Sequence, residues 1–335
     1  MTCDKSAAVA PRPAGTGGLR LVIVTLTPNP SVDRTIEVEV LHRGAVIRAR
    51  SSRVDPGGKG VNVSRALAAN GRPTRAVLPA GGWEGDQLAA LLAPADVPVV
   101  VVPIAGSVRS NVSVVEPDGT VTKLNESGPQ LSEDEVEAVT AATVAAAADA
   151  EWLACTGSLP PGAPIDFYAR VVQRLGSASV KVAVDSSGAP LVAALDAGPD
   201  LVKPNREELA EVTGRPIATV GDVVAAAEEL RGRGVGAVLA SLGADGAVLV
   251  DATGATFGWA TIDRARSAVG AGDSMLAGFL AGGGKGPEAL AEALAWGAGA
   301  ASLPGSRMPT PDDLDRDAVT IADRIDPDRP LKERS

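Results

Sequence analysis

The chain has 335 residues, 45% of them hydrophobic and 21% charged, with a net charge of −10. At about 150 residues per domain, that length is one large unit or two. Aromatic residues are only 2%, so the core has to be aliphatic, which argues against a stacking platform for single-stranded nucleic acid. The acidic balance repels long polyphosphates, so any phosphate bound here is small and held by local cations.

Residues 1–18 (MTCDKSAAVAPRPAGTGG) lack the apolar core of a signal peptide and read as a flexible tail. Leu19–Pro28 is the first strand, apolar throughout as for a strand buried on both faces. Ile36–Arg53 alternates with period two around Arg43-Gly44 and predicts a half-exposed antiparallel hairpin. His42, the single histidine, sits beside that turn as a surface residue, and one histidine does not make a metal site or a Ser-His-Asp hydrolase. PGGKGVNVSRALAANG then reads as a glycine-rich loop entering a helix that stops at Gly71. A second alternating patch, Val108–Asn125, turns at Asp118-Gly119, and the two patches can share a sheet outside the main core. From Leu131, helices and strands alternate, beginning with a capping box of Ser132 and Glu135, which predicts a parallel sheet covered by helices. Ligands of such sheets sit beyond the carboxyl ends of the strands. Residues 321–335 read as a second dispensable tail, leaving 19–320 as the folded domain. Cys3 and Cys155 make no disulfide framework, and with no apolar run of about 18 residues the chain is expected to be cytoplasmic.

Residues 267–282, SAVGAGDSMLAGFLAG, carry the strongest chemical signal. Gly270, Ala271 and Gly272 let the backbone close on a ligand, and Met275–Leu280 starts a helix whose first N–H groups suit an anion. Asp273 beside a phosphate is repulsive unless it touches the attacking hydroxyl; the plainer alternative is an N-cap after a glycine turn. In PGGKGVN, Lys59 is followed by Gly60, so the loop is no Walker A motif, although a lysine there suits an anion or a sugar. Asn205 and Glu208 of KPNREEL share a helical turn, to orient a hydrated metal or to form a capping box. SLGADGAVLV, Ser241–Val250, is a hairpin or a nucleotide-edge loop.

Together and in this order, PGGKGVNVSRALAANG, GAGDSMLAGFLAG, TLTPNPSVDRT, GSLPPG, VDSSG and LVKPNREEL resemble the PfkB/ribokinase carbohydrate kinase family, in its hexose-phosphate branch. The resemblance spans residues 20 to 315 or so. It implies a Rossmann-like (ribokinase-like) three-layer α/β core with a mainly parallel sheet. A small β-sheet lid from residues 31–55 and 106–125, and a homodimer formed through it, are also implied. Asp273 is then the catalytic base, and Gly270, Ala271 and Gly272 are the anion hole. Lys203, Asn205, Glu208, Ser241, Gly243, Ala244, Asp245 and Gly246 fall on the ATP side, with Mg²⁺ held mainly through ATP and water near Glu208. Asp33 matches the sugar-hydroxyl contact, and Gly57, Gly58, Lys59 and Asn62 the sugar loop. Arg48 and Arg109 match basic positions for the substrate phosphate, their alternative being solvated edge-strand charges.

The implied reaction is phosphoryl transfer from MgATP to a ketohexose phosphate. Fructose 1-phosphate is the implied substrate, with tagatose 6-phosphate and fructose 6-phosphate as alternatives; Lys59 in GGKG favours the first two over fructose 6-phosphate. Two other classes share a parallel sheet with glycine-rich turns or the same fold. A nicotinamide-dependent oxidoreductase needs GxGxxG after the first strand, which TLTPNPSVDR lacks. A non-catalytic sugar-phosphate sensor would most simply have lost Asp273, which is present.

Overall fold

The computed structural model describes residues 22–176 and 178–332. The expected N-terminal tail, Cys3, the first residues of the Leu19–Pro28 run and the last three of the chain lie outside them.

In chain order, β1 (Val22–Leu26) enters the core, and β2 (Ser31–Glu37) and β3 (Ser51–Gly57) leave it for a separate sheet. The chain returns through α1 (Lys59–Ala69), β4 (Thr74–Ala80), α2 (Gly82–Leu92) and β5 (Val99–Pro103), then leaves again for β6 (Arg109–Val115) and β7 (Val121–Asn125). The regular alternation follows: α3 (Glu133–Ala147), β8 (Ala150–Thr156), α4 (Phe167–Leu175), β9 (Lys181–Asp185), α5 (Gly188–Leu195), β10 (Leu201–Val202), α6 (Arg206–Thr213) and α7 (Val220–Gly232). β11 (Ala237–Ser241), β12 (Ala247–Asp251), β13 (Gly254–Ala260), α8 (Ala271–Ala281), α9 (Gly286–Ser302) and β14 (Val319–Ile321) complete it.

The main sheet runs β14-β13-β12-β11-β10-β9-β8-β1-β4-β5. It is parallel from β11 to β5 and antiparallel only at the β12–β14 edge. Period-two strand geometry sends alternate side chains to opposite faces. Val24 and Leu26 pack with α3–α7 on one side, while Ile23 packs with α1, α8 and α9 on the other. Consecutive strands leave β1 toward β4 on one side and β8 on the other, so the crevice of this doubly wound sheet opens at the carboxyl end of β1. Gly60 lets α1 lie close over that end, since a Cβ there would meet Thr156 Oγ1 at 2.7 Å.

The small sheet runs β3-β2-β6-β7 and unites the two alternating patches. A cluster of Val32, Val61, Leu78, Leu88, Leu92 and Val108 fastens it to the body. The first patch is not a tight hairpin. Its antiparallel strands pair Ser31 with Gly57 through Glu37 with Ser51, leaving residues 38–50 as a long connection that holds the Arg43-Gly44 turn. Pro56 and Gly57, expected in a loop, end β3.

Two further expectations are corrected. α8 starts at Ala271 rather than Met275, because Gly270 takes the left-handed conformation (φ 77°) and is itself the N-cap. Asp273 is therefore inside the first turn and caps nothing. Residues 322–332 are not a loose tail. Leu331 is buried in the main core, and Arg329 stacks over Phe257 and Trp259. Cys155 is a buried free thiol and His42 is exposed.

Candidate active site

The chemistry-bearing residues converge where the sheet topology predicts, at the carboxyl ends of the parallel strands. Asp185 ends β9, Lys203 follows β10, and Lys59 opens α1. Asp185 is fully buried between the two lysines, with Lys59 Nζ 2.7 Å from one oxygen and Lys203 Nζ 2.9 Å from the other. Burial works against the Asp185 carboxylate, but Lys203 and Lys59 more than compensate and hold its pKa below the ordinary value. Desolvation likewise opposes the Lys59 ammonium, and Asp185 keeps its pKa raised.

Lys203 faces the start of α8. A Cβ on Gly272 would stand 3.5 Å from its Nζ, so the bare glycine leaves room between ammonium and helix. The first intrahelical bond of α8 runs from Ser274 N–H to Gly270 O at 2.8 Å, so the N–H groups of Gly272 and Asp273 precede the helical ladder. Backbone donors, the positive helix end and two lysines make this a place for a small anion despite the net charge of −10.

Asp273 sits in the same turn, 8% exposed, and accepts a hydrogen bond from Asn62 Nδ2 at 2.9 Å. Arg65 Nη1 donates to Asn62 Oδ1 at 3.3 Å, which turns the amide nitrogen toward the carboxylate. Desolvation first, and the charge of Asp185 second, push the Asp273 carboxyl up to about 6, against the pull of Asn62, Lys59 and Lys203. A carboxylate tuned toward neutrality and aimed into an anion site is suited to taking a proton from a hydroxyl.

A polar shelf on the small sheet adjoins this cluster. Asp33 Oδ1 accepts from Ser31 Oγ at 2.7 Å and from Asn111 Nδ2 at 2.9 Å, across the β2–β6 pairing. Gly57 has to be glycine here, because a Cβ would strike the Asp33 carboxylate and Ser31 Oγ. Gly58 takes φ 113°, turning the chain from β3 into α1. Beyond the shelf, a cavity of about 490 Å³ is lined by Asn29, Arg109, Ser127, Ser158 and Pro160 among others. Arg109 donates to Asn29 O and Glu126 O at 3.0 Å each, and burial lowers its pKa.

Lys203, Asn205 and Ser241 are neighbours: Asn205 bridges Ser241, and Ser241 N–H donates to Pro204 O at 3.0 Å. Asn205 and Glu208 form the reciprocal capping box, each side chain bound to the other's N–H at 2.9 Å. SLGADG is a hairpin turn between antiparallel β11 and β12, with Gly243 and Gly246 at positive φ. Among the described residues, no group of three or more His, Cys, Asp or Glu side chains is placed to hold a metal ion.

Lys59 is tied to Asp185, on the Asp273 side, rather than to Arg109. Arg48 is exposed in the 38–50 connection, and no hydrogen bond or ion pair among the described residues joins it to either cluster. The sequence reading missed Asp185, Arg65, Asn111, Asn29 and Ser158. Asp185, Asn29 and Ser158 lie within quoted segments (VDSSG, NPSVD and GSLPPG), but their side-chain partners are 18 to 129 positions away.

Fold and site together define an α/β phosphotransferase. Residues 26–310 match the model of the pfkB family carbohydrate kinases. The 1-phosphofructokinase of Rhodobacter capsulatus is 37% identical over 313 residues, covering 90% of this chain and 98% of that one. The ATP-dependent 6-phosphofructokinase isozyme 2 of Mycobacterium tuberculosis (strain ATCC 25618 / H37Rv) is 37% identical over 300 residues, 88% of each chain. Escherichia coli phosphofructokinase-2, solved in complex with substrates and products, superposes with a TM-score of 0.82 at 33% identity, over 87% of this chain and 96% of that one. The chain belongs to the pfkB family of carbohydrate kinases, and it is a kinase. Among the described residues, no helix is long and apolar enough to cross a membrane.

Proposed function

We propose that this kinase transfers the γ-phosphoryl group of ATP to a primary hydroxyl of a ketohexose phosphate, fructose 1-phosphate giving fructose 1,6-bisphosphate. The observation that carries the reading is the buried Asp273 carboxylate, oriented by Asn62 in the first turn of α8 beside Lys203. The sugar oxygen bonds to the γ-phosphorus as the bond to the ADP oxygen breaks, and Asp273 accepts the hydroxyl proton. The backbone N–H groups of Gly272 and Asp273, with Lys59 and Lys203, face the charge that builds on the transferring group. Bound together with ATP, Mg²⁺ would supply further charge neutralisation, held mainly through ATP and water. Glu208, the side chain proposed to lie near it, accepts from Asn205 N–H in the capping box.

Asp33, Asn111 and Gly57 form the proposed sugar shelf, and Arg109 with Asn29 and Ser158 the phosphate end. Lys203, Asn205, Glu208 and the 241–246 turn form the ATP side. The small sheet acts as the lid in this reading and as the dimer face, which is supported by exposed Val121 and Leu124 on β7. The same proposal includes a cytoplasmic location.

Relatives named for fructose 1-phosphate and fructose 6-phosphate chemistry both align over most of the chain. Lys59 within GGKG favours fructose 1-phosphate or tagatose 6-phosphate over fructose 6-phosphate, and of these the proposal takes fructose 1-phosphate. The test ranks kcat/KM with MgATP for fructose 1-phosphate, fructose 6-phosphate, tagatose 6-phosphate and fructose in a coupled ADP-release assay. Fructose 1-phosphate should lead. If unphosphorylated fructose led, the phosphate role of Arg109 would be lost, while Lys59 would keep its place on the Asp273 side.

A further inference from the structure

The C-terminal residues follow the stretch matched by the family model, yet they are built into the nucleotide side of the molecule. β14 first extends the β13 edge, pairing Ile321 with Gly258, and Ala322 N–H donates to Phe257 O at 2.9 Å. Arg329 then stacks its guanidinium 4.8 Å from the Phe257 ring and 4.7 Å from the Trp259 ring.

From there the chain crosses the start of α7, whose first N–H groups have no partner inside the helix. Val220 N–H donates to Arg329 O at 3.0 Å and Gly221 N–H to Pro327 O at 2.9 Å. The approach needs glycine, since a Cβ at Gly221 would lie 2.7 Å from Pro327 O. Leu331 N–H donates to Ala218 O at 2.9 Å while the Leu331 side chain enters the main core.

The last described residue makes two bonds that bear on function. Lys332 N–H donates to Asp245 Oδ2 at 2.9 Å, inside the Gly243–Asp245 turn. Its carbonyl accepts from Arg206 Nη1 at 3.0 Å, at the start of α6 beside Asn205. Gly243 and Ala244 are exposed, and the turn closes on itself through Leu242 N–H to Gly246 O at 2.9 Å and Asp245 N–H to Leu242 O at 3.2 Å, so the bond from Lys332 bears on where the closed turn sits relative to α6. The strap joins it to α6 and to the core.

We propose that Pro327–Lys332 is a positioning strap, holding the 243–246 turn and the Asn205–Arg206 turn in the relative arrangement that receives ATP. This rests on the reading of those two turns as the ATP side. Pre-ordering a turn spares the ligand the cost of ordering it, so loss of the strap weakens ATP binding and leaves the sugar site alone.

The test compares KM for ATP, KM for fructose 1-phosphate, kcat and ATP affinity by calorimetry in four full-length variants and one truncation. Lys332→Pro deletes the N–H to Asp245, whereas Lys332→Ala keeps it. Expected is a rise in KM and Kd for ATP on the order of tenfold in Lys332→Pro, the loss of one hydrogen bond to a charged acceptor. Lys332→Ala should match wild type, and KM for fructose 1-phosphate should stay unchanged in both. A chain ending at Asp326 should show a larger effect of the same kind. Should it fail to fold, the Lys332 pair decides alone. Arg206→Ala should raise KM for ATP, as Lys332→Pro does.

Ala244→Arg places a bulky cation in the turn and tests the underlying reading. If it raises KM for ATP while Lys332→Pro does not, the strap proposal fails and the ATP reading survives. If Ala244→Arg leaves ATP binding unchanged, both fall. Equal rises in both substrates' KM for Lys332→Pro, or a lowered Tm with unchanged ATP affinity, would show a purely structural strap and overturn the proposal.

Discussion

Asn62 Nδ2 lies 2.9 Å from Asp273 Oδ2, a hydrogen bond between side chains 211 positions apart. It joins the first turns of α1 and α8 and favours the ionised carboxylate, while burial and Asp185 favour the protonated one. The balance sets the carboxyl at about 6, so kcat should fall on the acid side as pH drops through that value. Asn62→Leu removes one ionising influence and should move the acid limb upward by about one pH unit. A pH–rate profile checks this. An unshifted limb with kcat lowered equally at every pH would mean that Asn62 only packs.

The same shift bears on stability. Folding raises the Asp273 pKa from 3.8 to about 6, so the folded chain keeps a proton that the unfolded chain has released. This linkage stabilises the fold fully below about pH 4 and is lost as pH rises through 6. Asp273→Asn carries no such penalty and should be more stable than wild type at pH 8 by about 1–3 kcal/mol. Urea unfolding at pH 8 decides it; equal or lower stability of the variant contradicts the tuned-carboxylate account.

Asp185 tests the electrostatic centre. It is fully buried, and the Lys203 side chain is only 6% exposed. Asp185→Asn leaves that ammonium without its counter-charge and should lose about 3–5 kcal/mol in urea unfolding. The double variant Asp185→Asn/Lys203→Met should recover much of the loss, because no uncompensated charge stays buried. A loss below about 1 kcal/mol for the single variant would show that water already screens the pair.

Gly57→Ala should disturb the sugar shelf selectively, since its Cβ would displace the Asp33 carboxylate. KM for the sugar phosphate should rise about tenfold, with KM for ATP nearly unchanged. Arg109→Ala should behave alike at the other end of the shelf. Equal effects on both substrates would remove Asp33 and Arg109 from the sugar side.

Local rules made much of this molecule legible. The Ser132–Glu135 capping box, the Asp118-Gly119 turn and the α1 stop at Gly71 are all set by residues within four positions of each other. Where reading failed, the cause was long-range. Asp185 looks like any strand-end carboxylate until topology sets Lys59, 126 positions earlier, against it. α8 begins before its apolar run, because the left-handed turn at Gly270 starts the helix four residues ahead of Met275. The 327–332 strap has the composition of a tail. It is ordered by partners at Ala218, Val220, Asp245 and Phe257 that no nearby residue announces.

The central claim is that Asp273 takes the proton as phosphate moves. The most direct measurement pairs turnover with ATP binding in Asp273→Asn, using single-turnover kinetics with fructose 1-phosphate and calorimetry with MgATP. General-base loss predicts a fall in the transfer rate of about 10²–10⁴, with ATP affinity within about twofold of wild type, since the base touches the hydroxyl and not the nucleotide. Transfer at the wild-type rate in this variant would contradict the account.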